Sequence, residues 1–140
     1  MKRALIFIFV FFSVSVSYAQ VISKSYLFDG TTYEFSLSFT ELGDSPSWSP
    51  TDNDPPLSPK KAVEAAKTFL LSLTGDKIDW RISTIKLHKY HERDSKWVYF
   101  VQFDEMPRTT GVYDGPVQVF EVVVYMTGKV IEPQVTKKKS

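Results

Sequence analysis

The 140-residue sequence contains no cysteine, which excludes disulfides, thiol nucleophiles and thiolate metal centres in one stroke. Histidine is nearly as scarce, present only as His88 and His91. The six glycines are scattered singly, so no glycine-rich phosphate loop can be assembled, and there is no Gly-x-Ser-x-Gly elbow. Neither sign of charge prevails, with 17 basic against 16 acidic side chains. That balance gives no electrostatic reason to expect a nucleic acid or an anionic membrane as partner. Internal repeats are absent as well.

Long apolar runs are also missing, with one exception at the start. Lys2 and Arg3 precede an apolar stretch from Ala4 to Val16, interrupted only by Ser13 and Ser15. Ser17-Tyr18-Ala19 then offers small residues at the positions a signal peptidase reads, which predicts a signal peptide over residues 1–19 and cleavage before Gln20. A membrane-spanning helix needs roughly 20 apolar residues, and this run turns polar too soon at Ser17, Gln20, Ser23 and Lys24. Without a cysteine at the cleavage site, lipid attachment there is chemically impossible. The expectation is an exported protein, in the periplasm or outside the cell, with no stable membrane anchor after cleavage. Losing Lys2 and Arg3 takes the basic count from 17 to 15 against 16 acids, a nearly neutral product.

The remainder divides into a single α+β domain over residues 20–136 and a basic tail over 137–140, where Lys137, Lys138 and Lys139 read as a solvated end. A domain of that length buries a core without staples. Pro46, Pro50, Pro55, Pro56 and Pro59 crowd a crossover over residues 43–59, where missing donors and fixed φ forbid an inner strand or a helix.

Before the crossover, Tyr33, Phe35, Leu37 and Phe39 alternate with polar residues, the period of a half-buried strand over residues 31–41. Asp29-Gly30 is a favoured hairpin turn and pairs that strand with residues 21–28. After the crossover, Ser58 caps a helix, Pro59 sits at its first position and Gly75 stops it. Ala62, Ala66, Phe69 and Leu73, widened by Val63 and Leu70, form its buried stripe. Residues 80–90 read as a strand whose alternation slips between Ile82 and Ile85, the mark of a bulge. Trp97, Tyr99, Val101 and Phe103 define the next strand, and residues 117–126 a third. Thr127-Gly128 turns that strand into a short last one, residues 129–132. The expected order is β-β-α-β-β-β-β, one helix packed on an antiparallel sheet.

Motifs that could carry chemistry are few. His88 and His91, beside Glu92, stand three apart, but on a strand that spacing sends side chains to opposite faces. Asp52-Asn53-Asp54 resembles the start of a calcium loop, yet Pro55, Pro56 and Leu57 follow where ligands and a glycine are needed. Asp104 and Glu105 are strand neighbours and diverge, so they make no acid/base pair. No catalytic residue, metal or cofactor is assigned on these grounds. Trp48, held between Pro46 and Pro50, is the one candidate binding residue. It has two readings: an exposed anchor for a partner, or a pin that fastens the crossover to the domain, and the pin is favoured because an unfastened loop of this length would gain no order.

The segment Leu57-Ser58-Pro59-Lys60-Lys61-Ala62, then Trp80, Trp97-Val98-Tyr99-Phe100-Val101-Gln102-Phe103 and Phe120 through Val130 with its Thr127-Gly128 turn, resembles small exported bacterial proteins of the PepSY kind. The resemblance covers residues 57–132. It implies a PepSY- or cystatin-like helix-on-sheet module in the periplasm or outside the cell, and, because PepSY modules are associated with inhibiting or chaperoning peptidases, a binding role. It assigns no residue a function. The sequence therefore leads to an exported non-enzymatic domain that binds a protein or peptide, through an edge strand or the crossover around Trp48. The alternative is a small-molecule binder or hydrolase with a pocket between the helix and a curved sheet.

Overall fold

The computed structural model describes residues 23–28, 30–91, 95–106 and 118–137. The leader expected over residues 1–19, Asp29 of the first turn, Glu92 beside the histidines, and Lys138 and Lys139 of the tail lie outside the described residues. None of the described helices is long and apolar enough to cross a membrane.

The chain is α+β with antiparallel sheets. Its elements are β1 (Ser23–Phe28), β2 (Thr31–Ser36), α1 (Phe39–Asp44), α2 (Pro59–Thr74), a 3-10 turn (Gly75–Lys77), β3 (Asp79–His91), β4 (Lys96–Met106), β5 (Val119–Tyr125) and β6 (Gln134–Lys137). The strands divide into two three-stranded sheets, β1-β2-β6 and β3-β4-β5, where the sequence predicts one. The division arises after β5. Gly128, at φ 86°, makes the expected turn, but the return is a single bridge between Val124 and Val130 rather than a strand over 129–132. Past Pro133 the chain crosses to β2 instead, and Val135 pairs with Tyr33.

The first hairpin forms through Gly30 at φ 70°, with Tyr26 opposite Tyr33 and Lys24 opposite Phe35. Its strand stops at Ser36, short of the predicted residue 41. Ser38 takes over as the N-cap of α1, its hydroxyl accepting from the Glu41 N–H at 3.4 Å. Phe39, expected in the buried stripe, is consequently 49% exposed, while Leu42 turns inward in its place.

The second helix matches its sequence signals closely. The Ser58 hydroxyl accepts from Lys61 N–H, Pro59 opens the helix, and Gly75 at φ 64° closes it. Ala62, Ala66, Leu70 and Thr74 are its buried residues, a row four apart that lies across β4 and β5. Phe69 and Leu73 flank this row half-buried, so the buried stripe is rotated from the expected one. Opposite stand Tyr99, Val101 and Phe103 of β4, with Phe120, Val122 and Val124 of β5 across from them. The other face of the same strands, carrying Val98, Phe100, Val123 and Tyr125, is also buried. Phe35 joins the two sheets, edge-on to Phe120 at 5.7 Å and to Phe69 of α2 at 6.2 Å.

Candidate functional site

Both edges of the sheet β3-β4-β5 follow from its hydrogen bonds. Glu105 donates its N–H toward β5, to the Gln118 carbonyl at 2.8 Å. Backbone groups alternate sides along an antiparallel strand, so the odd-numbered residues of β4 bond toward β5 and the even-numbered toward β3. The register places Trp80, Ile82, Ile85, Leu87 and Lys89 opposite odd-numbered residues of β4. These five therefore turn their own N–H and C=O outward. Among the described residues no strand lies on that outer edge of β3.

The opposite edge, along β5, is covered from Glu121 to Tyr125. Tyr26 Oη accepts from Glu121 N–H at 3.2 Å, Ile131 N–H donates to the Val123 carbonyl at 3.0 Å, and Tyr125 N–H donates to Lys129 C=O at 2.9 Å. One edge of the sheet is thus bonded by the Tyr26 side chain and by the backbone of the turn and return at Lys129 and Ile131, while among the described residues the other presents open backbone.

The bulge predicted between Ile82 and Ile85 is present. Ile82 and Thr84 pair with the successive residues Phe103 and Gln102, leaving Ser83 as the extra residue. Its hydroxyl turns to Asp104 Oδ1 at 2.9 Å, which also accepts from Gln102 Nε2 at 3.2 Å. A second register shift lies between Lys89 and His91, so the regular edge runs from Thr84 to Lys89. Its two faces differ. On the side of α2 stand Ile82, Ile85 and Leu87; the first two are each 44% exposed, because α2 sits over β4 and β5 and leaves β3 uncovered.

On the other face, Lys86 and His88 border an open hollow of about 240 Å³ completed by Lys24, Phe100 and Glu121. The His88 ring stands edge-on to Phe100 at 5.6 Å, and the Lys24 ammonium lies 5.2 Å from the same ring centroid while pairing with Glu121. Lys86 has no carboxylate within ion-pairing distance among the described residues. The hollow thus gathers three nitrogen side chains and one carboxylate, and the carboxylate is committed to Lys24. A smaller hollow of about 100 Å³ lies between Tyr26, Trp80 and Phe120. Neither is lined by α2, whose contact with the sheet is filled by buried side chains.

The residues singled out from sequence fall in different places. Trp48 is half-buried in the crossover and fully engaged. Its Nε1 donates to the Asn53 carbonyl at 2.8 Å, its N–H to Ser95 C=O at 3.0 Å, and its own carbonyl accepts Trp97 Nε1 at 2.8 Å. The two indoles meet edge to face at 5.3 Å. Asp52 accepts from Ser49 N–H at 3.1 Å, a turn contact on an exposed loop. Asp104 and Glu105 pair with Arg81 and Trp80 in turn and so sit on opposite faces of β4. A register shift lies between Lys89 and His91, so the pairing of β3 with β4 is irregular between the two histidines. Among the described residues no three His, Asp or Glu side chains gather into a metal-ligating group. Lys24, Lys86, Phe100 and Glu121 escape sequence reasoning because they arrive from four strands, although the even spacing of Lys86 and His88 is readable within β3.

Burial raises the Tyr26 hydroxyl to about 12, with the Glu121 carboxylate adding to the rise. It therefore stays protonated where it holds the β5 edge. Glu41 is held below the usual carboxylate range, chiefly by its bond from Lys129. Set against known protein families, curated proteins and solved structures, the chain matches none of them.

Proposed function

We propose that the protein is an exported, non-enzymatic binding domain that takes an extended segment of a protein or peptide onto the outer edge of β3. The observation that carries this reading is the asymmetry of the sheet. The β5 edge is closed by Tyr26, Ile131 and Lys129, whereas Trp80, Ile82, Ile85, Leu87 and Lys89 turn backbone groups outward. An extended chain can satisfy such groups by adding a strand, with main-chain bonds giving affinity and side-chain contacts giving selectivity. Export rests on the basic, apolar and small-residue segments of positions 1–19, and the absence of cysteine suits a compartment in which free thiols would be oxidised. The position of α2 over β4 and β5 supports the PepSY-like reading of residues 57–132 and, with it, a partner among peptidases or their substrates.

A capped seven-residue peptide alternating valine and threonine tests the edge. Its addition is expected to slow hydrogen exchange at the Ile85, Leu87 and Lys89 amides and to leave Glu121 unchanged. Ile85→Pro removes an outward donor without breaking a β4 bond and abolishes the effect, whereas Ile85→Thr keeps it. Unchanged exchange along β3 at millimolar peptide would rule the edge out as the binding surface.

A further inference from the structure

We infer that the segment accepted by β3 alternates apolar with acidic residues, an inference that rests on the edge-binding reading above. A strand added to an edge places successive side chains on opposite faces, each beside the edge residue it is paired with. Partner residues opposite Ile85 and Leu87 fall on the α2 side, where Ile85 is 44% exposed and Ile82, equally exposed, extends the apolar surface. Partner residues between them fall on the other face, beside Lys86 and His88 and the rim of the hollow. The charges there are positive on balance. Glu121 is paired with Lys24, and Asp104 is held by Ser83 and Gln102 at the bulge, beyond the regular run. Lys86 is exposed and has no carboxylate at ion-pairing distance among the described residues. A carboxylate on the partner strand is the group that complements this face.

The same charges argue against a second copy of the chain as the occupant. An antiparallel β3 pair centred on Leu87 would set Lys86 against His88, and one centred on Lys86 would set two lysines face to face. Lysine side chains on an edge discourage such self-pairing. They leave an acidic strand as the favoured guest.

Three capped heptapeptides alternating valine with glutamate, glutamine or lysine separate the possibilities when titrated against the full chain. The glutamate peptide is expected to bind about tenfold tighter than the glutamine peptide, the combined effect of a few exposed charge contacts, and the lysine peptide weakest. Raising the salt narrows the difference. Lys86→Gln with His88→Gln brings the glutamate and glutamine peptides to equal affinity. Lys86→Gln alone, at an exposed position, tests the same point if the double variant folds poorly. Equal binding of all three peptides with protection along β3 overturns the acidic preference and keeps the edge reading. Absence of binding by any of them overturns both. A sedimenting dimer that excludes the peptides replaces the acidic strand with a second copy.

Discussion

The hydroxyl of Tyr26 accepts the backbone N–H of Glu121 at 3.2 Å, so a side chain of one sheet completes the edge of the other. Its ring stacks on Phe120 at 4.5 Å, and Lys24, two residues before it, pairs with Glu121. One stretch of β1 therefore joins the sheets by a hydrogen bond, an aromatic stack and an ion pair.

Tyr26→Phe keeps the ring and strips the edge of its acceptor. A partly buried N–H left without a partner costs about 1–2 kcal/mol, to be measured by urea denaturation. Hydrogen exchange at Glu121 should accelerate while the Val123 and Tyr125 amides, one facing Ile131 and the other bonded to Lys129, change little. Tyr26→Ala also forfeits the stack, adding roughly 0.5–1.5 kcal/mol.

Alkaline pH reaches the same joint. Tyr26 and Tyr125 are both raised to about 12, each first by burial and then also by a neighbouring carboxylate, Glu121 for one and Glu41 for the other. An unfolded tyrosine ionises near 10, so below that pH both states hold the proton and the contribution is complete. Between about 10 and 12 the unfolded chain releases protons that the native chain retains, and stability falls. Melting temperature should drop steeply across this window. Tyr26→Phe and Tyr125→Phe should each flatten the slope, and an unaltered slope in the double variant would assign the loss to other groups.

Packing of α2 gives a third expectation. Ala62 and Ala66 are fully buried and Leu70 is 1% exposed, whereas Phe69 is half-buried. Leu70→Ala should cost about 2–5 kcal/mol by cavity formation, and Ala66→Leu about 1–3 kcal/mol by overpacking against β4 and β5. Phe69→Ala should fall below Leu70→Ala in the same denaturation series. The reverse order would mean that the joint between Phe69 and Phe35 dominates the helix contact.

How much of this was legible depends on the range of the forces involved. The helix Pro59–Thr74 is legible because its start and stop are local: Ser58, Pro59 and Gly75 act within one turn. The bulge at Ser83 was visible as a break in period. The helix Phe39–Asp44 is hidden in the sequence, although Ser38-Phe39-Thr40-Glu41 has the spacing of a capping box, because the alternation from Tyr33 to Phe39 reads more strongly as a longer strand. The separation into two sheets was not legible, since it turns on β6 finding β2 from the far end of the chain, which no local pattern encodes. The hollow beside β3 has the same origin: Lys24, Lys86, Phe100 and Glu121 meet only after both sheets form.

The crossover supplies the last prediction. It contains no regular element between Ser45 and Ser58, so its order comes from individual contacts with the body. Trp48 makes three hydrogen bonds, two of them to residues at the start of β4 or in its preceding turn, and sets its ring against Trp97 at 5.3 Å. Tyr99 holds the far end, donating to the Leu57 carbonyl at 2.9 Å. Trp48→Ala should therefore release the middle of the loop while the Leu57 end stays anchored, at a cost of about 1–3 kcal/mol for a half-buried ring. Limited digestion by a broad-specificity protease should then cut between Ser49 and Pro56 well before the body of the domain is attacked. Trp97→Phe removes the donor to Trp48 C=O but keeps an aromatic face, so its cutting rate should lie between those of the wild type and Trp48→Ala. In a protein with Trp80 and Trp97 replaced by Phe, Trp48 emission should be blue-shifted and only partly open to quenchers. Equal cutting of wild type and Trp48→Ala would show that Pro50, Pro55 and Pro56 stiffen the loop without the indole.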